Sequence, residues 1–415
     1  MVGVGMIFEE TYWPLFVQAH RHGCYRRDLG AYEIQLSATA SLTGRRAAGY
    51  VDHANAIGMP PITNCYGSDA LPRLLASGVD AVCIATPDDR HFEAAKAALE
   101  AGKHILIEKP SVLSLHQLDE LTALARKKDV LARVVYHKLA DPDHKKLRTH
   151  VVDGVLNHVN NGYCSLLEPK SIATGQFSEW VNGRNPGTYV AVHYIKLIDF
   201  TFGGSWRLSR VSANGQRGIV GVAGGTTWDS VQLQMTYVYP DGREAAFDIH
   251  TSWVTPDDFP GYVDQEVQFR FDNAVWLAHQ RKRGVEVAVE NRTPRELKNT
   301  PNHHYNGKFI EPWGERSQRG YGIEVIGRFF EEVAFVEYGP ASERNARLEA
   351  MRSLHYTDLE ADRATVATVQ AMEAILAAHA GGKPGAVVKI DAPQGLTIYL
   401  PGEAGEVLYD RKIQA

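Results

Sequence analysis

The sequence predicts an α/β protein in which a doubly wound parallel sheet is followed by a second α/β domain with an open, mainly antiparallel sheet. Two observations lead to this fold class. Over residues 1–136, short apolar runs of strand length alternate with amphipathic segments of helix length, the pattern of parallel strands joined by helices. After Tyr136, longer runs alternate apolar and polar residues with period two, which is typical of antiparallel strands with one buried face.

The clearest βαβ unit begins with an apolar run over residues 82–85, which predicts a buried strand. Apolar spacing over residues 92–99 predicts a helix, and Gly102 ends it. A second apolar run, over residues 105–107, predicts the next parallel strand. This strand brings Lys109 to the carboxyl edge of the sheet, where ligands of doubly wound folds bind.

The remaining elements follow from the same patterns. In the N-terminal part we expect helices over 11–22, 45–57, 68–77 and 115–127 and strands over 33–40 and 130–135. In the C-terminal part we expect strands over 231–238, 245–251 and 263–271, a hairpin turn at Asp241-Gly242, and helices over 322–336 and 356–378. The predicted domains are 1–136 and 137–415, and we keep open that the last helix packs back on the first domain.

Residues 1–8 have the pattern of the last residues of a first strand and its glycine turn. The strand that should precede Gly3 is mostly absent, so we expect either a stub or a start codon further upstream. We favour the upstream start, because losing a central parallel strand removes packing on both of its faces.

Composition excludes several classes of function. The chain has 415 residues, 44% of them hydrophobic and 22% charged, with a net charge of −5, so nothing favours a nucleic-acid partner. No apolar run reaches the roughly 20 residues that span a bilayer. The four cysteines lack the CxxC spacing of a zinc site. We therefore expect a cytoplasmic protein with free thiols, no metal and no membrane or nucleic-acid partner.

A Gly3-x-Gly5 pair begins the pattern of a dinucleotide-binding turn. Glycines at these positions let a pyrophosphate approach the backbone at a helix N-terminus, here at Met6 and Ile7. The third glycine of the pattern is replaced by Phe8. We expect this ring to loosen the packing of helix on strand or to shift the phosphate contact.

The end of the second strand bears on which nicotinamide dinucleotide binds. An acidic residue there would bind a ribose 2′-hydroxyl and repel a 2′-phosphate, but none is present. Ser41, Thr43, Arg45 and Arg46 could instead receive a phosphate. The alternative is a solvated helix start; between NADP and NAD, we favour NADP weakly.

Lys109 is the strongest candidate for a functional side chain. A lysine at a strand end usually faces solvent, but this one is flanked by Glu108 and Pro110 and lies on the ligand edge of the sheet. Its ammonium could hydrogen-bond both a substrate hydroxyl and the cofactor ribose.

A second candidate cluster lies on a predicted helix that follows a cap-like Asn185-Pro186-Gly187-Thr188. Tyr189, His193 and Lys196 share one face of that helix at i, i+4 and i+7. Histidine titrates near neutrality, which suits removal of a hydroxyl proton, although a lone histidine on a helix is more often structural.

The polar segment before the penultimate helix contains His303, His304 and Tyr305. Long loops often cover a site, so substrate binding and a plain surface loop are both open. Adjacent histidines rarely share one ion, and no carboxylate is well spaced, so metal binding is not expected.

These residues resemble the Gfo/Idh/MocA family, named for glucose–fructose oxidoreductase, inositol dehydrogenase and a rhizopine catabolism protein. The most specific part of the resemblance is Ala85-Thr86-Pro87, His91, Ala94, Gly102-Lys103-His104 and Glu108-Lys109-Pro110. The resemblance covers nearly the whole chain. It implies an NAD(P)-binding Rossmann domain over 1–136 and a substrate-binding and oligomerisation domain over 137–415.

The resemblance also implies residue roles. Lys109 matches the active-site lysine and His193 the acid/base histidine, whereas Tyr189 stands where many members have aspartate. The Ala85-Thr86-Pro87 turn, His91 and Glu108 are expected to line the cofactor site. The usual asparagine-arginine pair appears here as His137-Lys138, which we expect to contact substrate.

The predicted function is hydride transfer between NADP or NAD and a secondary hydroxyl or keto group of a sugar, sugar derivative or cyclitol. The alternatives are an NAD-dependent glycosidase of the same fold and a non-catalytic NAD(P)-binding sugar sensor or regulator. Catalysis is expected to depend on Lys109, His193 and Tyr189, with substrate also bound by Lys196 and Tyr305. An open sheet face favours a homodimer or homotetramer.

Overall fold

The fold is described from a computed structural model of residues 1–176, 181–220, 226–259, 263–282, 289–290, 302–391 and 395–411. The helices are α1 (Trp13–His22), α2 (Arg45–Ala56), α3 (Ala70–Ala76), α4 (His91–Glu100), α5 (Leu115–Lys127), α6 (His137–Ala140), α7 (Pro142–Val152), α8 (Val192–Phe202), α9 (His303–Asn306), α10 (Tyr321–Glu337), α11 (Arg344–Arg352) and α12 (Arg363–Ala380). No helix in this part of the chain is long and apolar enough to cross a bilayer.

The strands are β1 (Cys24–Arg26), β2 (Gly30–Tyr32), β3 (Ala38–Ser41), β4 (Thr63–Tyr66), β5 (Ala81–Ile84), β6 (His104–Glu108), β7 (Ala132–Val135), β8 (Val159–Pro169), β9 (Arg207–Gln216), β10 (Ser230–Val238), β11 (Glu244–Thr255), β12 (Asp264–Phe271), β13 (Val275–Leu277), β14 (Gly307–Ile310), β15 (Arg316–Arg319), β16 (Val387–Asp391), β17 (Gly395–Tyr399) and β18 (Glu406–Asp410). They belong to two compact units. The first contains Met1–Ala140 and His303–Arg363, and the second contains Asp141–Asn302 and Ala364–Ala415.

The first unit is built on a parallel sheet. β3 pairs with β4, and β5, β6 and β7 pair in that order, all in parallel. Val2 joins the two halves, because it bridges to Ala40 of β3 on one side and to Ile84 of β5 on the other. The spatial order is therefore β4, β3, Val2, β5, β6, β7, which is a doubly wound sheet and confirms the predicted fold class.

Helix α10 completes the core of the first unit, which explains why residues 303–363 group with it. Ile326 and Phe329 of α10 are buried in one apolar cluster with Trp13 and Phe16 of α1. Burying each such side chain contributes roughly 1.5–3 kcal/mol. By compactness the chain divides after Ala140, and α10 lies within the first unit.

The second unit contains a nine-stranded sheet in the order β13-β12-β8-β11-β10-β9-β16-β17-β18. Only the β8–β11 pair is parallel among the described neighbours, so the sheet is mainly antiparallel as predicted. The hairpin between β10 and β11 turns at Asp241-Gly242, as expected. Phe202 at the end of α8 stacks on Phe247 of β11, so this helix covers one face of the sheet.

Three predicted elements differ from the structure. The strand expected over 33–40 is confined to Ala38–Ser41, the stretch that pairs with β4 and Met1–Val2. The helix expected from 356 begins at Arg363, because Thr357 and Leu359 hydrogen-bond with the backbone of β7 instead. The expected loop over 303–319 contains α9 and the β14–β15 hairpin.

Candidate functional site

The Gly3-x-Gly5 turn has the form that a dinucleotide site requires. Gly3 has φ +86°, and a Cβ at this position would lie 2.4 Å from the carbonyl oxygen of Ala85, so only glycine fits. At Gly5 a Cβ would meet nothing within 4 Å, so this backbone faces open space. Met6 and Ile7 are the first residues of the helical turn there, and the N–H groups at the start of a helix are suited to binding a phosphate.

A buried hydroxyl next to this turn supports a ligand at the same place. Thr86 Oγ1 is buried and makes no hydrogen bond within the described residues. Thr86 follows β5 directly, and its backbone N would lie 3.1 Å from a Cβ on Gly3. An open glycine backbone, the N–H groups of a helix start and the Thr86 hydroxyl suit a dinucleotide, so the residues present fit this group.

Phe8 replaces the third glycine without leaving a gap. Its ring is fully buried and packs edge to face with Tyr50 of α2 at 4.8 Å, and it lies 6.2 Å from Trp13. The backbone of Phe8–Tyr12 is a π-helical turn, wider than an α-helical one. The expected loosening of this region is therefore absent, because the ring becomes part of the core.

The end of β3 forms a turn braced by its own side chains. Ser41 Oγ accepts the N–H of Gly44 at 3.1 Å, and Thr43 Oγ1 accepts the N–H of Arg45 at 3.5 Å. Arg45 and Arg46 are exposed in the first turn of α2. Two exposed guanidinium groups thus lie beside a helix N-terminus.

Glu108 and Lys109 stand where β6 ends, and Glu108 is buried. The Tyr12 hydroxyl donates a 3.0 Å hydrogen bond to Glu108 Oε1. Burial raises the pKa of Glu108 to about 7, although the Lys109 ammonium, the Tyr12 hydroxyl and the Lys109 N–H all favour the carboxylate. This carboxyl therefore changes its charge near neutral pH beside the candidate lysine.

His137 is the next side chain in this cluster. Burial, and then the nearby ammonium groups of Lys109 and Lys138, lower the pKa of His137 to about 3. Its Nε2 lies 4.0 Å from Glu108 Oε1, and its ring meets that of Tyr305 edge to face at 5.4 Å. His137 is thus a neutral hydrogen-bonding group near neutral pH, not an acid or base.

Tyr305 has room at this position because Gly322, in the first turn of α10, has no side chain. A Cβ on Gly322 would lie 2.4 Å from the Tyr305 ring, so glycine at this position makes room for the ring. Tyr305 also packs against Tyr321, with ring centroids 5.4 Å apart.

His91 joins the ends of β5 and β6. Its Nδ1 lies 2.8 Å from the carbonyl oxygen of Pro110 and its Nε2 lies 2.9 Å from that of Thr86. A neutral imidazole has one N–H, so it can donate to only one of these acceptors, and only the imidazolium satisfies both. Burial lowers the pKa of His91, so one donated bond is the ordinary state. His91 therefore lies between the segments that follow β5 and β6 and contacts Pro110, the residue after Lys109.

The candidate residues of the second unit begin at a capped turn. Asn185 Oδ1 accepts the N–H of Thr188 at 2.7 Å, and a π-helical turn over Gly187–Ala191 then leads into α8. Tyr189 on that turn is half-buried and lies 6.2 Å from the ring of Trp253. His193 is half-buried in the first turn of α8.

Lys196 differs in its surroundings from Tyr189 and His193. It is fully buried, and its Nζ lies 3.8 Å from Asp199 Oδ2 one turn further along α8. This ion pair gives Lys196 a structural partner within its own helix.

The structure thus brings one set of predicted residues together within the first unit: Gly3, Gly5, Met6, Ile7, Ala85, Thr86, Pro87, His91, Glu108, Lys109, His137, Lys138 and Tyr305. Ser41, Arg45 and Arg46 lie at the end of β3 in the same unit, while Tyr189, His193 and Lys196 belong to the second unit. Within the described residues, no group of three or more His, Cys, Asp or Glu side chains could hold a metal ion.

Sequence reasoning missed two residues of this region. Tyr12 lies within the predicted first helix, and nothing in the spacing indicates that its hydroxyl reaches the end of β6. Asp362 precedes α12 directly, and an aspartate before a helix is a recognisable start signal that was obscured because the helix was expected to begin earlier.

Comparison with known proteins agrees with this geometry. Residues 1–136 match the model of the GFO_IDH_MocA family, described as an oxidoreductase family with an NAD-binding Rossmann fold. The likeness to this family is thus found over the residues of the parallel sheet in the first unit. The resemblance expected from the sequence is thereby confirmed.

Curated proteins also resemble part of this chain. The chain is 42% identical over 81 residues to the uncharacterized oxidoreductase YdgJ of Escherichia coli, an alignment that covers 20% of this chain and 23% of YdgJ. The chain thus spans about a quarter of the length of such relatives.

Solved structures resemble the whole fold. GenD2 from gentamicin A biosynthesis, in complex with NAD, has a TM-score of 0.65 at 18% identity, with 94% of this chain and 95% of that chain covered. The scyllo-inositol dehydrogenase of Lactobacillus casei, with bound NAD(H) and scyllo-inositol, has a TM-score of 0.60 at 13% identity, with 94% and 97% covered. At these identities the likeness establishes the fold.

Proposed function

We propose that this protein is an NAD(P)-dependent oxidoreductase acting on a secondary hydroxyl or keto group of a sugar, sugar derivative or cyclitol. The observation that carries the proposal is the position of Lys109. It follows β6 beside a carboxyl that titrates near neutrality, at the same sheet edge as the open Gly5 backbone. The structural neighbour with bound NAD(H) and scyllo-inositol indicates the class of cofactor and substrate.

A nicotinamide dinucleotide, when bound, supplies the hydride acceptor or donor. The Gly3-x-Gly5 turn with Met6, Ile7 and Thr86 would hold its phosphates, since these residues supply the open backbone, the helix-start N–H groups and an unpaired hydroxyl. Pro87 continues the same turn after β5, where we propose that it shapes the wall of the cofactor site.

Lys109 would act directly on the substrate oxygen. Its ammonium donates hydrogen bonds and stabilises negative charge that develops on that oxygen when a hydroxyl proton leaves. Neutral His137, the Lys138 ammonium and the Tyr305 hydroxyl are proposed to orient the substrate. With a pKa of about 3, His137 cannot take the hydroxyl proton near neutral pH.

The proton acceptor is therefore proposed to be another group. His193 is our candidate, because it is half-buried near the start of α8 and matches the histidine that many family members use. Tyr189, one turn before it, would assist through its hydroxyl. Lys196 is proposed to contribute to substrate binding only electrostatically, from its ion pair with Asp199.

NADP is proposed as the favoured cofactor. The turn after β3 has no acidic side chain, and Arg45 and Arg46 are exposed beside Ser41 at the start of α2. A 2′-phosphate could pair with these guanidinium groups. The double variant Arg45→Ala/Arg46→Ala should raise the Kd for NADP at least ~10-fold and leave the Kd for NAD within about twofold. Equal changes for both dinucleotides would contradict the preference.

The catalytic proposal is tested by following reduced-nicotinamide absorbance with NAD and NADP across a panel of sugars and cyclitols. Lys109→Met should lower kcat by at least ~100-fold, and His193→Asn should lower it by a similar factor. Lys127→Met is the matched control, because Lys127 is an exposed lysine at the end of α5. Full activity in Lys109→Met would refute the role of this lysine.

A further inference from the structure

A single buried carboxylate holds together the two strand ends that carry the candidate site. Asp362 is fully buried at the end of a short 3₁₀ turn, directly before α12. Its Oδ2 accepts the Ser111 hydroxyl at 2.5 Å, and its Oδ1 accepts the Tyr136 hydroxyl at 2.7 Å. One carboxyl oxygen therefore binds the segment that follows β6, and the other binds the segment that follows β7.

These two contacts begin where the sheet stops. The last pair of the β6–β7 ladder is Glu108 with Val135. Lys109 and His137 follow this last pair, beyond the residues that the β6–β7 ladder joins. Ser111 lies two residues after Lys109, and Tyr136 lies directly before His137. Asp362 thus links the two segments directly after the ladder ends, next to the candidate side chains.

Asp362 is itself held in place by its own segment. Its N–H donates to the carbonyl of Leu359, and Leu359 in turn donates to the carbonyl of Ala132 on β7. On either side of it, Glu360 pairs with Arg126 and Arg363 pairs with Asp119, both partners lying on α5. The carboxylate is therefore anchored to the sheet and to α5 before it binds the two hydroxyls.

We propose that Asp362 is a positioning residue that fixes the separation of Lys109 and His137. The assignment rests on the proposed function, in which both side chains address the substrate. Hydrogen bonds of 2.5 and 2.7 Å from two hydroxyls to one fully buried side chain are short, so this link resists opening. Removing it breaks the link between Ser111 and Tyr136, and displacement of a reacting group by about 1 Å costs as much as 100-fold in rate.

The kinetic test compares Asp362→Ala, Asp362→Asn and the double variant Ser111→Ala/Tyr136→Phe. We expect kcat to fall at least ~10-fold in Asp362→Ala and in the double variant, with the dinucleotide Kd within about twofold of wild type. Asp362→Asn should recover part of kcat, because its amide still bonds both hydroxyls. The double variant keeps the carboxylate and guards against a folding failure of Asp362→Ala.

Glu337→Gln is the matched structural control. Glu337 accepts hydrogen bonds from His104 at the opposite end of β6 and from Arg344, so its loss should lower Tm without changing kcat. If the Asp362 and double variants keep wild-type kcat while wild type is active, the positioning role is overturned. If Glu337→Gln loses kcat by the same factor, the effect is one of general stability and the role is again overturned.

A readout that needs no turnover separates this proposal from the proposed function. In protein labelled with ¹⁵N-histidine, the imidazole signals of His137 should shift in Asp362→Ala, whereas those of His104 should stay in place. An unchanged His137 signal overturns the positioning role whether or not the wild type reduces a dinucleotide. Absence of turnover in wild type with a shifted His137 signal supports the positioning role and refutes the proposed function alone.

Discussion

Replacing Glu108 with glutamine should change the way in which stability depends on pH. The pKa of Glu108 rises from an ordinary 4.5 to about 7 in the folded protein, chiefly because the carboxyl is buried. Between these values the folded state keeps a proton that the unfolded state has released. The free energy of unfolding therefore falls as pH rises through this window, and it stops falling above the folded-state pKa.

The magnitude follows from the two pKa values. Their difference corresponds to about 3 kcal/mol, of which about 2–3 kcal/mol falls between about pH 5 and pH 8. Glutamine at this position carries no proton to lose but can still accept the Tyr12 hydroxyl. Relative to Glu108→Gln, wild type should therefore lose about 2–3 kcal/mol of stability from about pH 5 to pH 8.

The assay is urea unfolding of both proteins at several pH values across this window. Tyr12→Phe removes a hydrogen bond that favours the Glu108 carboxylate, so its loss of stability should extend to higher pH. Glu311→Gln is the control: Ser317 donates to the Glu311 carboxylate and lowers its pKa, so this group stays ionised throughout. A constant difference between wild type and Glu108→Gln at every pH would refute the reasoning.

Two further predictions concern the same unit. Gly3→Ala should weaken dinucleotide binding and lower stability by at least ~1 kcal/mol, because its Cβ would lie 2.4 Å from the Ala85 carbonyl oxygen. Gly5→Ala should weaken dinucleotide binding but leave Tm nearly unchanged. Thermal melts and dinucleotide titration check both variants. Arg133→Met should cost about 3–5 kcal/mol in urea unfolding, because it leaves buried Glu332 without the 2.8 Å ion pair; a loss below ~1 kcal/mol would contradict this.

Much of the first unit could be predicted because its elements are short and are bounded by capping residues and glycines. The α5 helix was expected over 115–127 and is found at Leu115–Lys127, since Ser114 caps it and its apolar face is regular. The predicted start of α12 is too early because residues 357–359 contain no helix-breaking residue. In the structure they hydrogen-bond with the backbone of β7 instead. Competition between a helix turn and a strand edge is a tertiary effect that local propensity does not contain.

The position of Lys109 at the end of β6 could be predicted, because an apolar run of strand length ends directly before Glu108 and Lys109. The site was not predictable where the partner is distant in sequence. Tyr12 and Glu108 are separated by 96 residues, and Ser111 and Asp362 by 251 residues, so only the folded chain brings them together. The raised pKa of Glu108 likewise depends on burial, which the sequence indicates for a strand but not for its last residue.

The most direct test of the central claim is isotope transfer. Sugars and cyclitols deuterated at the carbinol carbon would be incubated with the protein and NADP or NAD, and the dinucleotide examined by mass spectrometry. We expect deuterium in the reduced nicotinamide with wild type and none above background with Lys109→Met. Tight dinucleotide binding with no deuterium transferred from any substrate of the panel would contradict the account.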